Sequence, residues 1–439
     1  MVRSAVADEH LLQYITKTAK RNICSVGLIL GQVCLGKDYV IHFAKTPPYQ
    51  SQEPKSITDV NNMWVADHAH HATRMLPGGM FVLGIFLISP EDAFTQYNSK
   101  IVSILSAIHK ALIEIPYLHG SGSTEKLVLN YCSKNDKYSA KYYDVNTSRV
   151  QPGDIKFLPK GTKWNNMECS YMIDQLYYLK TNEADWPLQK HIKGVLEDIR
   201  VSLEKSTFLF NGECKDGDEN LESIGKKKVS RSASGKSHHD IKDTNKAMQA
   251  SIFQSYSSGT SQGKSCHEVF ESAGQLRIVG QVACKLWLQP KMSIREASEA
   301  IKQDIMRSLC SRLEMHWDSL TEEENSEDIN CVHEPPRRVL ITLPNTKIKI
   351  SDYLFPGEGP QDAKAALEEL LDIKVKGNLD IQDVEGQADI SEYYKGTLES
   401  ESEEVLPKLP TDANKFMYLV GLGVAFLVLI LSLIVHFYR

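Results

Sequence analysis

The stretch RMLPGGMFVLGIFLISPED, from Arg74 to Asp92, contains the signals that set the fold class of this chain. The Pro-Gly-Gly sequence at 77–79 breaks the helical pattern before it. Met80–Ile88 is a continuous apolar run with the length of a strand that is buried on both faces. The next residues predict a helix start, because Ser89 is a favoured N-cap and Pro90 suits the first helical position. Helix, buried strand and helix in this order indicate an α/β fold.

Strand and helix signals alternate on both sides of this stretch. Strand-like runs at Ile23–Leu30 and Tyr39–Ala44 precede a helical spacing over Ile57–Met75. An apolar stripe at three- and four-residue spacing predicts another helix from Phe94 to Leu112. This order is typical of a three-layer α/β domain. Further signals of both kinds continue it, so we predict one domain over residues 1–206.

Changes in amino-acid composition divide residues 207–415 into three segments. Residues 207–266 contain GKKKVSRSASGKSHHD and few large apolar residues, which predicts a disordered Ser/Lys/Gly-rich linker or loop. Residues 267–375 carry strand signals and a long amphipathic helix, and we expect them to complete the first domain or pack on it. Residues 376–415 are acidic and poor in apolar residues, as in a solvated tether.

The last part of the chain is apolar and uncharged. FMYLVGLGVAFLVLILSLIV, from Phe416 to Val435, has about 20 residues and spans roughly 30 Å of hydrocarbon as a helix. Aromatic and basic residues at 436–439 suit a membrane interface. A buried core helix would show a polar face, and a cleaved lipid-attachment signal would require secretory entry. We predict one transmembrane helix over 416–438, with anchor residues Phe416, Leu419, Gly421, Ala425, Leu429 and Val435.

The position of this segment predicts a tail-anchored topology. Because the segment finishes the sequence, we expect it to insert after translation is over. The N-terminal sequence MVRSAVADEHLLQY lacks the apolar core of a secretory signal. We therefore expect nearly all of the chain to face the cytosol. Gly421 and Ala425 form a small-xxx-small pair that suits contact with a partner helix.

Charge and cysteine content exclude several classes. The formal net charge is -6, which argues against a large nucleic-acid surface, because phosphate binding needs an excess of Lys and Arg. The 9 cysteines show no C-x-x-C spacing and are odd in number, which indicates neither a zinc ribbon nor a disulfide framework. We expect a reducing compartment, no cofactor and no nucleic-acid partner.

The sequence His68-Ala69-His70-His71 is the strongest candidate for catalytic chemistry. An H-x-H pair begins the zinc site of MPN-type isopeptidases, which also need an Asp ligand and a Glu base. Here the histidines lie in a helical pattern and neither Asp nor Ser follows in the next block, 74–79. Spacing alone does not exclude a Cys/His protease. We predict no enzyme activity and no metal site; the alternative is a membrane-tethered MPN-type metallo-isopeptidase or other hydrolase that uses His68 and His71.

Four blocks resemble the odorant-response-abnormal protein four family. They are GLILGQ (Gly27–Gln32), KDYVI with the following TPP (Lys37–Pro48), RMLPGGMFVLGIF (Arg74–Phe86) and EAIKQDIMRSLCSRLE (Glu299–Glu314). The resemblance runs from about residue 10 to the terminal apolar segment. The third block is the most specific, and we interpret its motif residues as structural: Arg74, Leu76, Pro77, Gly78, Gly79 and Gly84.

The resemblance implies an endoplasmic-reticulum membrane adaptor. Members of that family promote the folding, exit or ciliary trafficking of certain G-protein-coupled receptors. Animal members also look like partners of the ubiquitin-fold-modifier protease, which they hold at the endoplasmic reticulum. The implied partners are therefore the lipid bilayer, receptor clients and this protease.

The order of elements is also similar to the MPN core. If Val82–Pro90 occupies the place of the metal-binding strand of that fold, the ligand positions are Leu87 and Ser89. A leucine cannot bind zinc. The predicted fold class is therefore α/β, with a three-layer MPN-like (inactive) body and one C-terminal transmembrane helix.

Overall fold

The structure is a computed structural model of the 439-residue chain. The residues that it describes are 3–19, 23–114, 116–119, 123–224, 247–254, 271–322, 334–375 and 381–385. All of them fall within one unit, Met1–Gln387. The predicted transmembrane helix over 416–438 and all but 381–385 of the predicted tether lie outside them. No helix among the described residues has both the length and the apolar character needed to cross a membrane.

The first sheet closes on itself. In chain order, the elements that form and surround it are β1 (Ser4–Asp8), α1 (Glu9–Thr18), β2 (Ser25–Cys34), β3 (Lys37–Lys45), α2 (Asn62–Met75), β4 (Phe81–Ser89), α3 (Ala93–Gln96), α4 (Asn98–Ile113), α5 (Pro116–His119), β5 (Glu125–Cys132), β6 (Lys137–Asp144) and β7 (Val150–Leu158). The strand order is β1-β3-β2-β4-β5-β6-β7. Closure follows because β1 pairs in parallel with both β3 and β7.

Two smaller sheets come from the rest of the described chain. Their elements and helices are β8 (Asn165–Lys180), α6 (Leu188–Glu204), β9 (Thr207–Phe210), β10 (Met248–Phe253), β11 (Ser272–Leu288), α7 (Ile294–Glu322), β12 (Arg337–Thr342), β13 (Lys349–Leu354), α8 (Pro360–Leu371) and β14 (Ile381–Asp383). The second sheet has the order β11-β8-β10-β9, and the third has the order β13-β12-β14.

Strand β4 lies between two hydrophobic cores. Its side chains alternate across the sheet, so that one set enters the core beneath α1 and the other enters the core shared with α2, α4 and α8. The first set is Leu83, Phe86 and Ile88, and the second is Val82, Ile85 and Leu87. Burial on both faces explains the continuous apolar run in the sequence. A third core lies between the second sheet and the helices α6 and α7.

The mixed α/β class is confirmed, but the helix after β4 begins later than predicted. The N-cap is Asp92, whose side chain accepts from the Phe94 N–H at 3.3 Å. The Ser89 hydroxyl instead donates to the Glu91 carbonyl at 2.5 Å. Tyr97 has a φ of -122°, which separates α3 from α4. The predicted capping at Ser89 is therefore wrong, because the chain turns once more before the helix starts.

Strands on both sides of residue 206 pair with each other, and part of the predicted linker is strand. β8 lies before that boundary and pairs along its length with β11, which lies after the predicted linker. The linker range 207–266 includes β9 and β10, and Phe208 and Phe210 of β9 are buried in the third core. These short strands are held by long-range pairing, which local composition does not reveal. Residues 225–246 and 255–266 of the predicted linker lie outside the described residues.

Candidate functional site

The family-like motif forms a tight turn between α2 and β4. The Met80 N–H donates to the Pro77 carbonyl at 3.2 Å, and Gly79 has a φ of +77°, a left-handed conformation that favours glycine. Gly78 lies directly against α7. A Cβ atom at Gly78 would lie 2.0 Å from the Ala300 carbonyl oxygen. The two glycines therefore permit the turn and its close approach to α7.

Helix α7 binds the backbone of this turn. The Gly78 N–H donates to Asp304 Oδ1 and the Gly79 N–H donates to Gln303 Oε1, both at 2.8 Å. The Arg307 guanidinium donates in the opposite direction, to backbone carbonyls. Its acceptors are Leu76 at 2.8 Å, Pro77 at 3.0 Å, Met80 at 3.1 Å and Leu118 at 2.8 Å. One helix thus satisfies the buried polar groups of the turn.

Two arginines and one aspartate are buried at this contact. Asp304 Oδ2 lies 2.7 Å from Arg338 Nη1, and Arg338 also donates to Ser351 Oγ and to the Ala283 carbonyl. Burial acts to raise the pKa of Asp304, but the Arg338 guanidinium outweighs it and holds that pKa below its ordinary value. Burial lowers the pKa of Arg307 to about 10. All three groups are therefore charged at neutral pH.

Gln32 connects the same turn to two sheets. Its Nε2 donates to the carbonyls of Gly79 and Trp287 at 3.3 Å, and its Oε1 accepts from the Gln289 N–H at 2.8 Å. Three of the four family-like blocks therefore meet here, since Gln32 ends the first, the turn lies in the third and α7 contains the fourth. We call this contact the seam: the turn 76–80 with Gln32, Asp304, Arg307 and Arg338.

The remaining motif residues lie beside the seam or away from it. Arg74, at the end of α2, donates to Glu314 Oε2 of α7 at 2.9 Å. Leu76 is 1% exposed and packs in the core shared with α2. Gly84 lies in β4, where an added Cβ atom would lie 1.7 Å from the Leu127 carbonyl oxygen of β5. Gly84 therefore permits the β4–β5 contact rather than the seam.

The candidate histidines do not share a site. His68 is 4% exposed, its Nε2 donates to the Leu370 carbonyl at 2.7 Å, and its Nδ1 accepts from Thr46 Oγ1 at 3.0 Å. Burial lowers the pKa of His68 to about 4. His71 instead faces Asp67, with 3.5 Å between His71 Nε2 and Asp67 Oδ1. Within the described ranges, no group of three or more His, Cys, Asp or Glu side chains is arranged to hold a metal ion.

The two positions that the sequence predicts to replace MPN zinc ligands are buried. Leu87 is 0% exposed and Ser89 is 1% exposed. Asp92 caps α3 and accepts from Asn130 Nδ2 at 2.8 Å. Leu87 and Ser89 therefore lie in the protein interior, and Asp92 stabilises the start of α3.

The polar residues of the seam were not singled out by the sequence reasoning, although α7 contains a signal. Its apolar stripe runs through Ile301, Ile305 and Leu309, and Asp304 and Arg307 interrupt the buried face between them. Charged residues at buried helical positions are rare unless they are paired. That interruption is the feature that could have indicated a buried polar contact.

A second candidate surface is the outer face of the second sheet. Four apolar side chains there are exposed, at 69% for Met172, 40% for Leu176, 51% for Tyr178 and 37% for Val279. The opposite face of the same strands packs on α6 and α7. The exposed ion pair between Arg277 and Asp174 lies on the same face, so this surface is mixed rather than continuously apolar.

Comparison with known proteins gives a consistent set of matches. The family model described as "Odorant response abnormal 4-like" matches residues 27–381. The "Protein odr-4 homolog" of Homo sapiens is 26% identical and that of Xenopus tropicalis 28% identical, each over 100% of this chain and 99% of its own. The "Odorant response abnormal protein 4" of Caenorhabditis elegans is 23% identical over 84% of this chain and 78% of its own. A solved structure titled "Crystal structure of UfSP from C.elegans" matches with a TM-score of 0.46 and 10% identity, over 86% of this chain and 58% of that chain.

Proposed function

This chain belongs to the odorant response abnormal 4-like family, and on that basis we propose that it is a membrane adaptor that promotes the folding and trafficking of a subset of G-protein-coupled receptors. The match over residues 27–381 is the observation that carries the proposal. Relatives in vertebrates, fly and worm have names that refer to the same odorant-response protein. An adaptor needs a stable body and accessible surfaces rather than a catalytic constellation.

The proposed location is the endoplasmic reticulum membrane, with a single pass and with the bulk of the chain in the cytosol. The apolar segment from Phe416 to Val435 supports this part of the proposal, because its length suits a bilayer. The acidic, apolar-poor residues 386–415 would then separate the body from the membrane surface. We include the ubiquitin-fold-modifier protease among the proposed partners, because the family resemblance implies it.

We further propose that the body is an inactive MPN-like scaffold. The sequence of elements β2, β3, α2 and β4 supports this proposal, as does the occurrence of Leu87 where that fold has a zinc ligand. The competing hydrolase hypothesis needs His68 as a metal ligand. Both ring nitrogens of His68 already have protein partners, so its Nε2 would have to leave the Leu370 carbonyl.

Receptor delivery tests the adaptor proposal. Cells that lack the chain would receive the full chain, a chain cut before Phe416, or the cut chain fused to an unrelated endoplasmic-reticulum tail anchor. We expect the full chain and the fusion to restore the surface level of client receptors, and the cut chain to fail. The proposal would be contradicted if the cut chain without any anchor restored receptor delivery, or if the fusion failed to restore it.

Metal analysis tests the hydrolase alternative separately. We expect the purified full chain to contain less than stoichiometric zinc, and the His68→Ala variant to contain the same amount. Stoichiometric zinc that is lost in His68→Ala would favour the hydrolase over the adaptor.

A further inference from the structure

Two buried cysteines face each other on neighbouring strands of the second sheet. Cys169 of β8 is directly opposite Cys284 of β11 in the antiparallel register, and both side chains lie in the third core. Cys169 is 6% exposed and Cys284 is 3% exposed. The two residues are far apart in the sequence, so no cysteine spacing indicates the pair. Two facing thiols inside a protein are the type of ligand that soft metal ions select.

The direction of the backbone groups fixes the separation of the two side chains. The Ala283 N–H donates to Glu385 Oε1 and the Ala283 carbonyl accepts from Arg338 Nη1, so both groups point away from β8. Because these directions alternate along a strand, the next residue, Cys284, exchanges backbone hydrogen bonds with Cys169. Such a pair has Cβ atoms about 5.5 Å apart, whereas a disulfide needs about 3.5–4.5 Å. The register therefore disfavours a disulfide and suits an ion between the two sulfur atoms.

The buried charge beside the two thiols is positive. The Cys284 thiol lies against the Asp304 carboxylate of the seam. Asp304 is paired with Arg338, whereas the acceptors of Arg307 are backbone carbonyls. The ionised side chains at this contact have a net charge of +1, since they are Arg307, Arg312, Arg338, Asp304 and Glu385. A complex that brings one negative charge would neutralise this part of the interior.

We propose that Cys169 and Cys284 bind one Cu(I) ion between their sulfur atoms. Cu(I) is a soft ion that favours thiolates, and two ligands in a linear arrangement are sufficient for it. Binding replaces two S–H bonds by two S–Cu bonds and releases two protons, so the complex carries one net negative charge. A structural Zn²⁺ site needs four ligands, which two facing thiols do not supply. The pairing geometry and the buried positive charge therefore both favour Cu(I).

Without a metal ion the two thiols are neutral and unreactive. Burial raises the pKa of Cys169 to about 12 and holds that of Cys284 well above its ordinary value. Neither side chain is therefore a nucleophile at neutral pH. A metal ion displaces the proton of a thiol that binds it, so burial does not prevent the site from forming.

The experiment uses the full chain, purified in detergent without oxygen, with Cys214→Ser and Cys266→Ser to reduce background binding. Cu(I) is supplied as its glutathione complex, and its partition between the chain and a coloured Cu(I) chelator gives the stoichiometry and the affinity. We expect one tightly bound Cu(I) ion per chain. Cys169→Ala and Cys284→Ala should each weaken binding by more than about a hundredfold, beyond the effect of losing a residue that only supports a ligand.

Cys310→Ala is the matched control. Cys310 is also 3% exposed in the third core, but it lies on α7 rather than in the facing pair. We expect this variant to retain the Cu(I) affinity of the parent chain, and thermal unfolding without copper verifies that each variant is folded.

X-ray absorption of the copper-loaded parent chain tests the ligand set without any further substitution. We expect a spectrum of two sulfur ligands in a linear arrangement. The proposal would be overturned by a parent chain without a tight Cu(I) site, by a spectrum of three or more sulfur ligands, or by a folded Cys169→Ala variant that binds Cu(I) as tightly as the parent.

Discussion

Asp304 of α7 and Arg338 of β12 form a two-pronged ion pair in the protein interior, with N–O distances of 2.7 and 2.9 Å. Neither side chain is more than 1% exposed. Asp304 Oδ1 also accepts from the Gly78 N–H, so one carboxylate joins α7, the third sheet and the turn after α2. The seam is therefore one of the contacts that hold separate parts of the chain together.

Arg338→Met is expected to destabilise the body strongly. It leaves the Asp304 carboxylate buried without its partner, and breaking a buried pair in this way costs about 3–5 kcal/mol. Urea unfolding of the full chain, followed by tryptophan fluorescence, measures the change in the free energy of unfolding. Arg277→Met is the matched control, because its pair with Asp174 is exposed and is expected to contribute about 1 kcal/mol or less. Equal effects of the two substitutions would contradict the role of the seam.

Gly78→Ala is expected to disrupt the approach of the turn to α7. The added methyl group would lie 2.0 Å from the Ala300 carbonyl oxygen, and both partners are backbone-fixed. We expect a loss of about 3 kcal/mol in the free energy of unfolding, at the upper end for overpacking. At Gly161 the nearest atom to an added Cβ is Asp8 Oδ2 at 3.5 Å, so Gly161→Ala is the control with little expected effect. A fully stable Gly78→Ala protein would mean that α7 and the turn are not in this contact.

Stability is expected to fall as the pH is lowered from about 6.5 to about 4, in part through His68. Burial lowers its pKa to about 4 in the folded state, against about 6.5 for an unfolded histidine. Between these two pH values the unfolded chain binds a proton at His68 that the folded chain does not bind. The contribution of neutral, buried His68 to stability is therefore complete above about pH 6.5 and is lost as the pH falls.

His68→Gln separates this contribution from that of other groups. Gln can still donate to the Leu370 carbonyl and accept from Thr46, but it does not titrate. Urea unfolding at several pH values gives the free energy of unfolding as a function of pH. Between pH 4 and 6.5, the slope of that free energy against pH should be smaller in His68→Gln by up to about 1.4 kcal/mol per pH unit. An identical slope in His68→Gln and the unmodified chain would show that His68 is not buried in the neutral form.

Local patterns predicted the parts of the fold that depend on local physics. The apolar run of β4 and the helical stripes of α2 and α4 were all visible, because burial on one face or both leaves a period in the sequence. The closure of the first sheet was not predicted. It depends on β1, which has five residues, and on β7, which contains Pro152 and Gly153. Pairing between strands so far apart in the chain leaves no local signal.

The candidate site was predicted only in part. The sequence singled out the glycines of the turn, since Pro-Gly-Gly interrupts two regular elements. It did not indicate why they are needed, because Gly78 and its partner Asp304 are 226 residues apart. Arg338 lies in residues 267–375, for which the sequence predicted strands and a helix but no buried ion pair. Buried ion pairs oppose the general tendency of charged residues to lie at the surface, so only the folded arrangement reveals them.

Alkaline carbonate extraction of microsomes decides whether the adaptor is held at the membrane by its terminal apolar segment. The full chain and a chain cut before Phe416 would be expressed at matched levels, and the pellet and supernatant fractions compared. We expect the full chain to remain in the pellet and the cut chain to be released, because residues 416–435 are the predicted hydrocarbon-spanning segment. A cut chain that stays in the carbonate-resistant pellet would contradict the account.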